Sequence, residues 1–371
     1  MKKQLSSLDL HFLVKELKIL EDSRIDKIYQ AEKEIITFSF YKSNSGKKLL
    51  KINIGKCMHL VEGKEEFGET LGFGMFLRKH LDGVFLSEIS QLEPERIIKF
   101  DFKIKEEIKT LYVELFGKGN MILCNENNVI LNALEHHDFR ERSIKPKLKY
   151  TYPIMNYNLF RLEEKDLNSI FNNSKKESVV ISLATELGLG GLYSEEVCLL
   201  SNIDKNTIPK NTNENQIKSI LTSIKKIINH KIEAKVVLDN DKVIDFVPFD
   251  FEFYSDKKYE KKEFPTFNEA VSYFYSQFIG EKETEYDKKL QSLQRIAEQQ
   301  KSAIEEMRKE EKEFREKGEL IYHNYQLIKE VLDELNKASK KYSWKEIKEK
   351  LKNHKTIKEI NEKDRKVLVE I

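Results

Sequence analysis

Cysteine is scarce in this chain, with only Cys57, Cys124 and Cys198 among 371 residues. An odd number of widely separated cysteines argues against a disulfide framework, and none of the three belongs to the close pair that a zinc site requires. This usage is typical of proteins from a reducing compartment, so we expect the protein in the cytoplasm.

Long apolar runs are lacking as well. The sequence has no stretch of about 18 apolar residues, so it predicts no membrane-spanning helix. The first five residues, Met-Lys-Lys-Gln-Leu, lack the apolar centre of a signal peptide. Neither sign of charge is in excess, because 65 basic and 63 acidic side chains give a formal net charge of +2. Any contact with nucleic acid must therefore depend on local patches of charge.

Hydrophobic periodicity divides the first 140 residues into helices and strands. Residues 7–20 have apolar side chains at helical spacing, with Ser7 as the expected cap, and residues 70–82 form a second predicted helix. Shorter apolar or alternating segments between turn residues predict nine strands. These strands are 24–30, 34–41, 48–54, 56–61, 85–92, 96–104, 108–116, 120–125 and 129–134. The predicted fold class is α+β, with a mixed, mostly antiparallel head.

The middle of the chain predicts a different organisation. Residues 150–174 are mostly polar and are interpreted as a linker. Helices are predicted at 178–187, from about 194, and at 213–228, followed by a closing hairpin at 234–239 and 242–247. The glycine-rich turn at 187–191 between two helices is typical of a helix-hairpin-helix.

A long charged helix follows a shorter one at 266–280. Its heptad positions a are Leu290, Ala297, Ile304, Glu311, Gly318, Tyr325 and Leu332, and its positions d are Leu293, Gln300, Met307, Phe314, Ile321, Ile328 and Leu335. Eleven of these fourteen residues are apolar, which predicts a coiled coil. Glu311 and Gly318 weaken the seam and could bend the helix. A capped helix at 343–351 and strands at 356–360 and 366–371 end the chain. We expect the seam to be covered by a returning helix beyond residue 371 or by a second molecule.

Short polar strings recur at the joints of the predicted head. They are Leu-Ser-Ser-Leu-Asp at 5–9, Arg-Ile-Asp-Lys-Ile-Tyr-Gln at 24–30, Met-Phe-Leu-Arg-Lys-His-Leu at 75–81, Glu-Arg-Ile-Ile at 95–98 and Glu-Leu-Phe-Gly-Lys-Gly-Asn at 114–120. Polar groups at loops often bind a ligand. Because the basic groups suit phosphate, we interpret this head as an RNA-binding region.

Several basic side chains are candidate phosphate contacts, and each has a simpler explanation. Arg78, Lys79 and His80 end an apolar helix, where cations also complement the helix dipole. Lys118 lies at the tip of the hairpin turn 117–119, which lacks the spacing of a nucleotide-binding phosphate loop. Either explanation fits the sequence.

Arg140 and Arg142 follow a His136-His137 pair that suggests a metal site at first reading. Adjacent residues of a strand point in opposite directions, so two neighbouring histidines rarely share an ion. We expect no metal and no other cofactor here. The loop faces either RNA or solvent.

Gly188, Gly190 and Gly191 form the best candidate phosphate site in the middle region. Glycine lets the chain turn tightly, and a helix that starts directly afterwards offers free N–H groups to a phosphate. An ordinary helix end would also explain the glycines. Glu195 and Glu196 would repel phosphate, so contact would have to use the backbone.

The polar strings, in this order, resemble the NFACT family, which is known as NEMF in animals and RqcH in bacteria, and the archaeal branch is the most similar. The resemblance extends through the glycine-rich turn at 187–191, the heptads, and Ser-Trp-Lys-Glu-Ile at 343–347. Each string alone is weak, but five strings in register are specific.

The family's domain order implies boundaries for this chain. An NFACT-N domain would occupy residues 1–170, and a helix-hairpin-helix domain with its closing hairpin residues 175–265. A helix and coiled-coil arm would occupy 266–340, and the start of a small α/β middle domain at the arm's tip 341–371. The family's C-terminal NFACT-R domain is not within these residues. The head is expected to resemble formamidopyrimidine-type DNA glycosylases in fold.

The resemblance also implies a function. Family members bind large ribosomal subunits obstructed by peptidyl-tRNA, recruit tRNA, and direct untemplated tailing of the stalled chain, mainly with alanine, which marks the chain for degradation. The ribosome performs the peptidyl transfer, so no enzymatic activity is expected. The implied partners are the large subunit, through ribosomal RNA and stalk-base proteins, together with tRNA, in particular tRNA-Ala, and peptidyl-tRNA.

The family's tailing residues match Asp9 and the pair Glu95-Arg96, where glutamate replaces the family's aspartate. From the residues alone, Asp9 would be a helix acid favoured by the dipole and Glu95-Arg96 an ordinary surface ion pair.

Two other functions stay open. The coiled coil could make the protein an RNA-independent scaffold that associates with itself. A DNA glycosylase of similar fold would need proline after the initiator methionine, and Lys2 at that position argues against this activity.

Overall fold

A nine-stranded antiparallel sheet is the largest element of the computed structural model, which describes residues 4–62, 70–139, 142–153, 156–277, 285–351, 357–361 and 366–369. The chain divides into two units, Met1–Gly280 and Glu281–Ile371. Lys2 and Arg140, which the sequence analysis singled out, lie outside the described residues. No helix of the described residues has both the length and the apolar character needed to cross a bilayer.

The strands of the large sheet confirm all nine predictions, with ends that differ by at most two residues. They are β1 (Arg24–Glu32), β2 (Ile35–Lys42), β3 (Gly46–Asn53), β4 (Cys57–Val61), β5 (Phe85–Gln91), β6 (Ile97–Ile104), β7 (Glu107–Glu114), β8 (Asn120–Cys124) and β9 (Ile130–Ala133). Their order across the sheet is β4-β3-β2-β1-β5-β6-β7-β8-β9. Strands joined by tight turns pair directly, and β1 also pairs with β5 through Arg24 and Phe85.

Two helices pack against this sheet. Helix α1 (Ser7–Leu17) contributes Leu10, Leu13 and Leu17 to the core on one face of the sheet, and α2 (Gly72–Leu81) packs against β1. The predicted cap Ser7 is wrong by one residue. Ser6 caps the helix, whereas the Ser7 hydroxyl is buried and donates to the Pro94 carbonyl oxygen at 2.6 Å.

A smaller apolar cluster covers the other face of the sheet over β6 to β9. Ile97, Tyr112 and Ile122 belong to it, together with Ile144 of the short hairpin formed by β10 (His137–Asp138) and β11 (Ser143–Ile144). Each strand of this hairpin has only two residues.

The rest of the first unit is helical with a small sheet. Its elements are α3 (Glu164–Asn173), α4 (Val179–Thr185), α5 (Gly191–Leu200), α6 (Glu214–Ile228), β12 (Lys235–Asp239), β13 (Lys242–Val247), β14 (Tyr259–Glu263) and α7 (Phe267–Ser276). The prediction of a linker up to residue 174 is wrong, because Leu167, Ile170 and Phe171 lie on one face of α3 and are buried. Strand β14 was not predicted.

The second unit consists of α8 (Glu285–His323), α9 (Tyr325–Ser339), α10 (Trp344–Lys350) and the hairpin of β15 (Ile357–Asn361) and β16 (Lys366–Val369). Helix α8 continues through Glu311 and Gly318, and the interruption falls at Asn324 instead. Seam residues of α8, including Met307 and Phe314, are exposed. The coiled coil, the helix-hairpin-helix assignment and the domain boundaries stay predictions.

Candidate functional site

A cleft of about 1010 Å³ opens within the first unit, between the sheet region and the helical region. Gln4 and Arg96 line it from the sheet side, and Gly190, Gly191 and Tyr193 line it from the start of α5. We refer to it as the Arg96 cleft. It therefore brings together two sets of residues that the sequence analysis identified separately.

Hydrogen bonds hold the loop before β6 against the first turn of α1. The Gln91 side-chain amide donates to the Ser7 carbonyl oxygen at 3.1 Å and to the Glu95 carbonyl oxygen at 3.0 Å. The bond from Ser7 to Pro94 fixes the same loop from the helix side. Because these two joints are bound to each other, Asp9 lies close enough to Arg96 for its charge to act on the guanidinium group.

Asp9 is completely buried, and its carboxylate joins two helices. Oδ2 accepts hydrogen bonds from the Ser6 backbone N–H and hydroxyl, each at 2.7 Å, which caps α1. Oδ1 accepts a hydrogen bond from the Tyr193 hydroxyl on α5 at 3.0 Å. With 0% of its surface exposed, Asp9 offers no edge to a ligand in this conformation. It acts on the cleft through Ser6 and Tyr193.

Arg96 is half-buried and is held by a side chain that the sequence analysis missed. Its Nη1 donates to Gln4 Oε1 at 3.1 Å. Burial lowers the pKa of Arg96, while the carboxylates of Glu95 and Asp9 oppose this effect. Since an arginine stays protonated in proteins even so, the cleft contains a positive charge.

Gln4 also connects the cleft to the turn that carries Lys118. Its Nε2 donates to the Gly117 carbonyl oxygen at 3.4 Å, and the Lys118 side chain at the tip of the turn is exposed. The predicted hairpin turn between β7 and β8 is confirmed. Lys118 thus lies on a turn bound to the cleft wall, where it is available to a ligand.

The backbone of this turn packs directly on the turn between β3 and β4. A Cβ atom added to Gly119 would collide with the Gly55 nitrogen, and a Cβ atom added to Gly55 would lie 2.7 Å from the Lys118 carbonyl oxygen. Both glycines also have positive φ angles, of 73° and 74°. Only glycine fits at either position.

The start of α5 gives the cleft its backbone donors. Gly190 caps the helix with φ 78° and ψ 163°, and no described side chain caps the first turn. Cβ atoms built on Gly190 or Gly191 would meet nothing within 4 Å, so a ligand can approach this backbone closely. Free N–H groups at a helix start attract an anion.

Aromatic side chains complete the wall opposite Arg96. The Tyr254 hydroxyl donates to Asp245 Oδ2 at 2.8 Å, and Phe253 lies beside it. The buried Glu196 carboxylate accepts from the backbone N–H groups of Glu252 and Phe253 at 3.0 and 2.9 Å. The Glu196 carboxylate is thus engaged in the fold. Glu195 does line the cleft, and its carboxylate pairs with the Lys205 ammonium group at 3.0 Å.

Arg78, Lys79 and His80 do not line the Arg96 cleft. Arg78 Nε donates to the Ile28 carbonyl oxygen at 2.6 Å, and Nη2 donates to the Thr70 hydroxyl at 2.8 Å. Lys79 is exposed. Burial and the charges of Lys109 and Lys79 lower the pKa of His80. Of these three predicted contacts, Lys79 presents its charge to solvent, while Arg78 is bound into the fold.

Arg142 forms a buried ion pair. Its Nη1 and Nη2 donate to the two Glu114 carboxylate oxygens at 2.6 and 3.1 Å, and the Tyr150 hydroxyl donates to Glu114 Oε1 at 2.9 Å. The sequence predicted Arg142 as a phosphate contact. The pairing with Glu114 occupies the guanidinium group and therefore argues against a phosphate contact. No cluster of metal-binding side chains occurs among the described residues.

Known proteins match this chain over most or all of its length. The sequence model for "NFACT N-terminal and middle domains" matches residues 6–366. The chain is 28% identical over 397 residues to the archaeal Rqc2 homolog aRqcH of Methanocaldococcus jannaschii, covering 100% of this chain and 58% of that protein. It is 26% identical over 388 residues to the ribosome quality control complex subunit NEMF of Homo sapiens, covering 94% and 35%.

A bacterial relative, the Rqc2 homolog RqcH of Bacillus subtilis, is 25% identical over 333 residues, covering 82% of this chain and 56% of that protein. The chain thus spans between 35% and 58% of the length of these three relatives.

Two solved structures share the fold. The fibrinogen binding protein from Staphylococcus aureus superposes with a TM-score of 0.61 at 19% identity, covering 73% of this chain and 98% of that one. The N-terminal part of the fibronectin/fibrinogen-binding protein from Streptococcus suis superposes with a TM-score of 0.59 at 22% identity, covering 74% and 100%. At these identities the likeness shows the fold alone.

Proposed function

The chain belongs to the NFACT family, and from this premise we propose that it is a ribosome quality-control factor that binds tRNA in the Arg96 cleft. The names of its relatives in an archaeon, in bacteria and in animals support this role. The proposed targets are large ribosomal subunits obstructed by peptidyl-tRNA. There the protein would recruit tRNA, in particular tRNA-Ala, and direct untemplated alanine tailing of the stalled chain, with peptidyl transfer left to the ribosome.

The observation that supports tRNA binding most strongly is that Arg96 and the uncapped start of α5 open into the same cleft. Arginine donates two parallel hydrogen bonds to a phosphate, and N–H groups at a helix start add further donors. Phe253, whose side chain is only partly buried, also lines the cleft and can stack on an unpaired base. The cleft therefore offers donors for the backbone and a surface for the bases of a folded RNA.

Gln4 and Asp9 position the groups of this site, and the buried Asp9 does so without touching the RNA. Gln4 fixes the guanidinium group, and Asp9 fixes the segment that carries Gln4 by capping α1 through Ser6. The Tyr193 bond to Asp9 holds α5 at the same joint. A site positioned in this way loses little entropy when the ligand binds.

The test compares Arg96→Ala with Arg161→Ala, since Arg161 is an exposed arginine outside the cleft. Each protein is incubated with large subunits obstructed by peptidyl-tRNA, and the tRNA retained on the particles is sequenced and counted. We expect Arg96→Ala to lose tRNA selection and Arg161→Ala to keep it, with both variants folded. Equal tRNA retention by the wild type and by Arg96→Ala would refute the proposal.

The exposed seam of α8 supports a second candidate, self-association as an RNA-independent scaffold. Met307 and Phe314 are 66% and 67% exposed, and both occupy d positions of the predicted heptads, so an apolar seam faces solvent. Sedimentation of the chain in the absence of RNA tests this candidate. A monomer at all concentrations eliminates it, and a dimer that is lost in a Met307→Glu/Phe314→Glu variant supports it.

A further inference from the structure

Six exposed residues form a row across six adjacent strands at one end of the large sheet. In the strand register, each is paired with the next: Lys47 with Tyr41, Tyr41 with Arg24, Arg24 with Phe85, Phe85 with Lys103, and Lys103 with Ile108. Directly paired residues point to the same face of a sheet. We call these six residues the cross-strand row.

Cations and apolar side chains alternate along the cross-strand row. Tyr41, Phe85 and Ile108 are 42%, 54% and 43% exposed, and each lies next to a lysine or arginine. The Arg24 guanidinium carbon lies 5.6 Å from the centre of the Tyr41 ring. The Lys47 ammonium lies 3.2 Å from Asp26 Oδ2, so the charge of Lys47 is partly balanced. Arg24 and Lys103 are the cations that remain available to a ligand.

The side chains of the cross-strand row lie outside the core. The neighbouring residues along the same strands, such as Phe40, Leu86 and Phe102, point to the opposite face and are buried in the core. Tyr41 and Phe85 instead expose large apolar surfaces to solvent. Single exposed apolar residues are ordinary, but aromatic rings repeated in register between cations are typical of a binding surface.

The spacing of the row suits an extended nucleic acid strand. Adjacent strands lie about 4.8 Å apart, so the two rings are about 10 Å apart, and so are Arg24 and Lys103. An extended strand that crosses the sheet can stack separated bases on Tyr41 and Phe85 while its phosphates reach the two cations. A duplex cannot do so, because its bases are stacked inside the helix.

From this geometry we propose that the cross-strand row binds a segment of single-stranded RNA. None of the six residues lines the Arg96 cleft, so this surface is a second RNA-binding site and goes beyond the proposed function. Asp26 pairs with Lys47 of the row, and Asp22, two residues before Arg24, is 85% exposed. The surface is therefore not uniformly cationic, which disfavours an anionic membrane as the occupant.

The first experiment measures binding of a fluorescein-labelled single-stranded RNA of about 12 nucleotides, a length within the range that comparable sites bind. Tyr41→Ala/Phe85→Ala removes both rings and no charge. Its control, Tyr322→Ala/Tyr325→Ala, removes two exposed rings from the second unit. We expect at least a tenfold loss of affinity in the first variant only. Tyr41→Phe/Phe85→Tyr should restore binding because it keeps both rings.

The second experiment measures the salt dependence of the same binding. Arg24→Gln/Lys103→Gln should flatten the slope of log affinity against log salt by roughly 1.4, which corresponds to two lost phosphate contacts. Lys242→Gln/Lys257→Gln removes two exposed cations elsewhere and should leave the slope unchanged.

Three results would overturn the proposal. They are unchanged affinity after loss of both rings, equal binding of a duplex of the same sequence, and retention of the protein on anionic phospholipid vesicles without retention of the oligonucleotide. The Arg96→Ala variant should bind the oligonucleotide as tightly as the wild type, because Arg96 is not part of the row. The proposal for the row and the proposal for the Arg96 cleft can therefore be refuted separately. Urea unfolding of each variant confirms that the exposed substitutions leave the fold intact.

Discussion

The hydroxyl group of Tyr193 donates a hydrogen bond to the carboxylate of Asp9 at 3.0 Å, and both side chains are buried. This bond connects the first turn of α1 with the first turn of α5. Burial, together with the Asp9 charge, raises the pKa of Tyr193 well above its usual range, so the hydroxyl remains a donor. The sheet region and the helical region meet at this bond, beside the Arg96 cleft.

Tyr193→Phe removes this bond and leaves Asp9 Oδ1 without the hydroxyl donor. Loss of a buried hydrogen bond to a charged group should lower the free energy of unfolding by about 1.5–3 kcal/mol. Tyr275→Phe is the matched control, because the Tyr275 hydroxyl is buried and no described residue bonds to it. Removing that hydroxyl should leave stability unchanged or raise it. Urea unfolding distinguishes the two variants, and equal stability would contradict the role of the Tyr193 bond.

Arg142→Ala should be among the more destabilising substitutions in the head. It leaves the Glu114 carboxylate buried without its cation, which typically costs about 3–5 kcal/mol. Lys165→Ala removes the cation of an exposed pair with Glu163 and should leave stability nearly unchanged, because solvent screens that pair. Denaturant midpoints measure both. If Arg142→Ala instead unfolds like the wild type but binds RNA weakly, the original prediction of a phosphate contact is correct.

Stability should fall in mild acid because of His11. The ring stacks on Phe160 with centroids 4.8 Å apart, and Nε2 lies 3.2 Å from the Ile228 carbonyl oxygen. Burial, and next the charge of Lys15, lower the pKa of His11 from 6.5 to about 4. Between these values the unfolded chain binds a proton that the folded chain does not. The folded state therefore loses up to about 3 kcal/mol as the pH falls from 6.5 to 4.

The pH effect is measured by urea unfolding of the wild type and of His11→Gln, which does not titrate. As the pH falls from 6.5 to 4, the free energy of unfolding should decrease more for the wild type than for His11→Gln. His136→Gln, at an exposed position, is the control and should follow the wild type. Parallel curves for the wild type and His11→Gln would show that His11 is not the cause.

Gly190→Ala should destabilise the start of α5, whereas Gly191→Ala should not. Gly190 has φ 78° and ψ 163°, a conformation that costs a residue with a side chain about 1–3 kcal/mol. Gly191 has ordinary helical geometry and open space around it, so alanine there should be neutral or slightly stabilising. Thermal unfolding compares the two, and an equal loss of stability in both would mean that the conformation of Gly190 is not the cause.

The sequence predicted the strands of the head almost completely, because each strand is a short segment that is apolar or alternates in polarity and lies between turn residues. It failed where distant residues decide the structure. The segment that contains Leu167 and Phe171 is polar overall, and only the core beneath it shows why the helix forms. Arg142 belongs to a pair with Glu114 of another strand, which local sequence does not indicate.

The candidate site was predicted in part. Arg96 and the glycines at the start of α5 were identified, but nothing in the sequence indicates that they share a cleft. Gln4 was missed because a glutamine near the chain start has no distinctive pattern. Tyr193 lies two residues after the glycine-rich turn, and its position in the first turn of a helix was the available signal. The cross-strand row depends on register across six strands, which a single strand does not reveal.

The contact between Gly55 and Gly119 has a further consequence for related sequences. Two backbone segments touch there with no room for even a methyl group on either side, so enlarging one residue cannot be offset by shrinking the other. A substitution at one of the two glycines therefore cannot be compensated by a substitution at the other. Chains that keep this joint must therefore retain both glycines together.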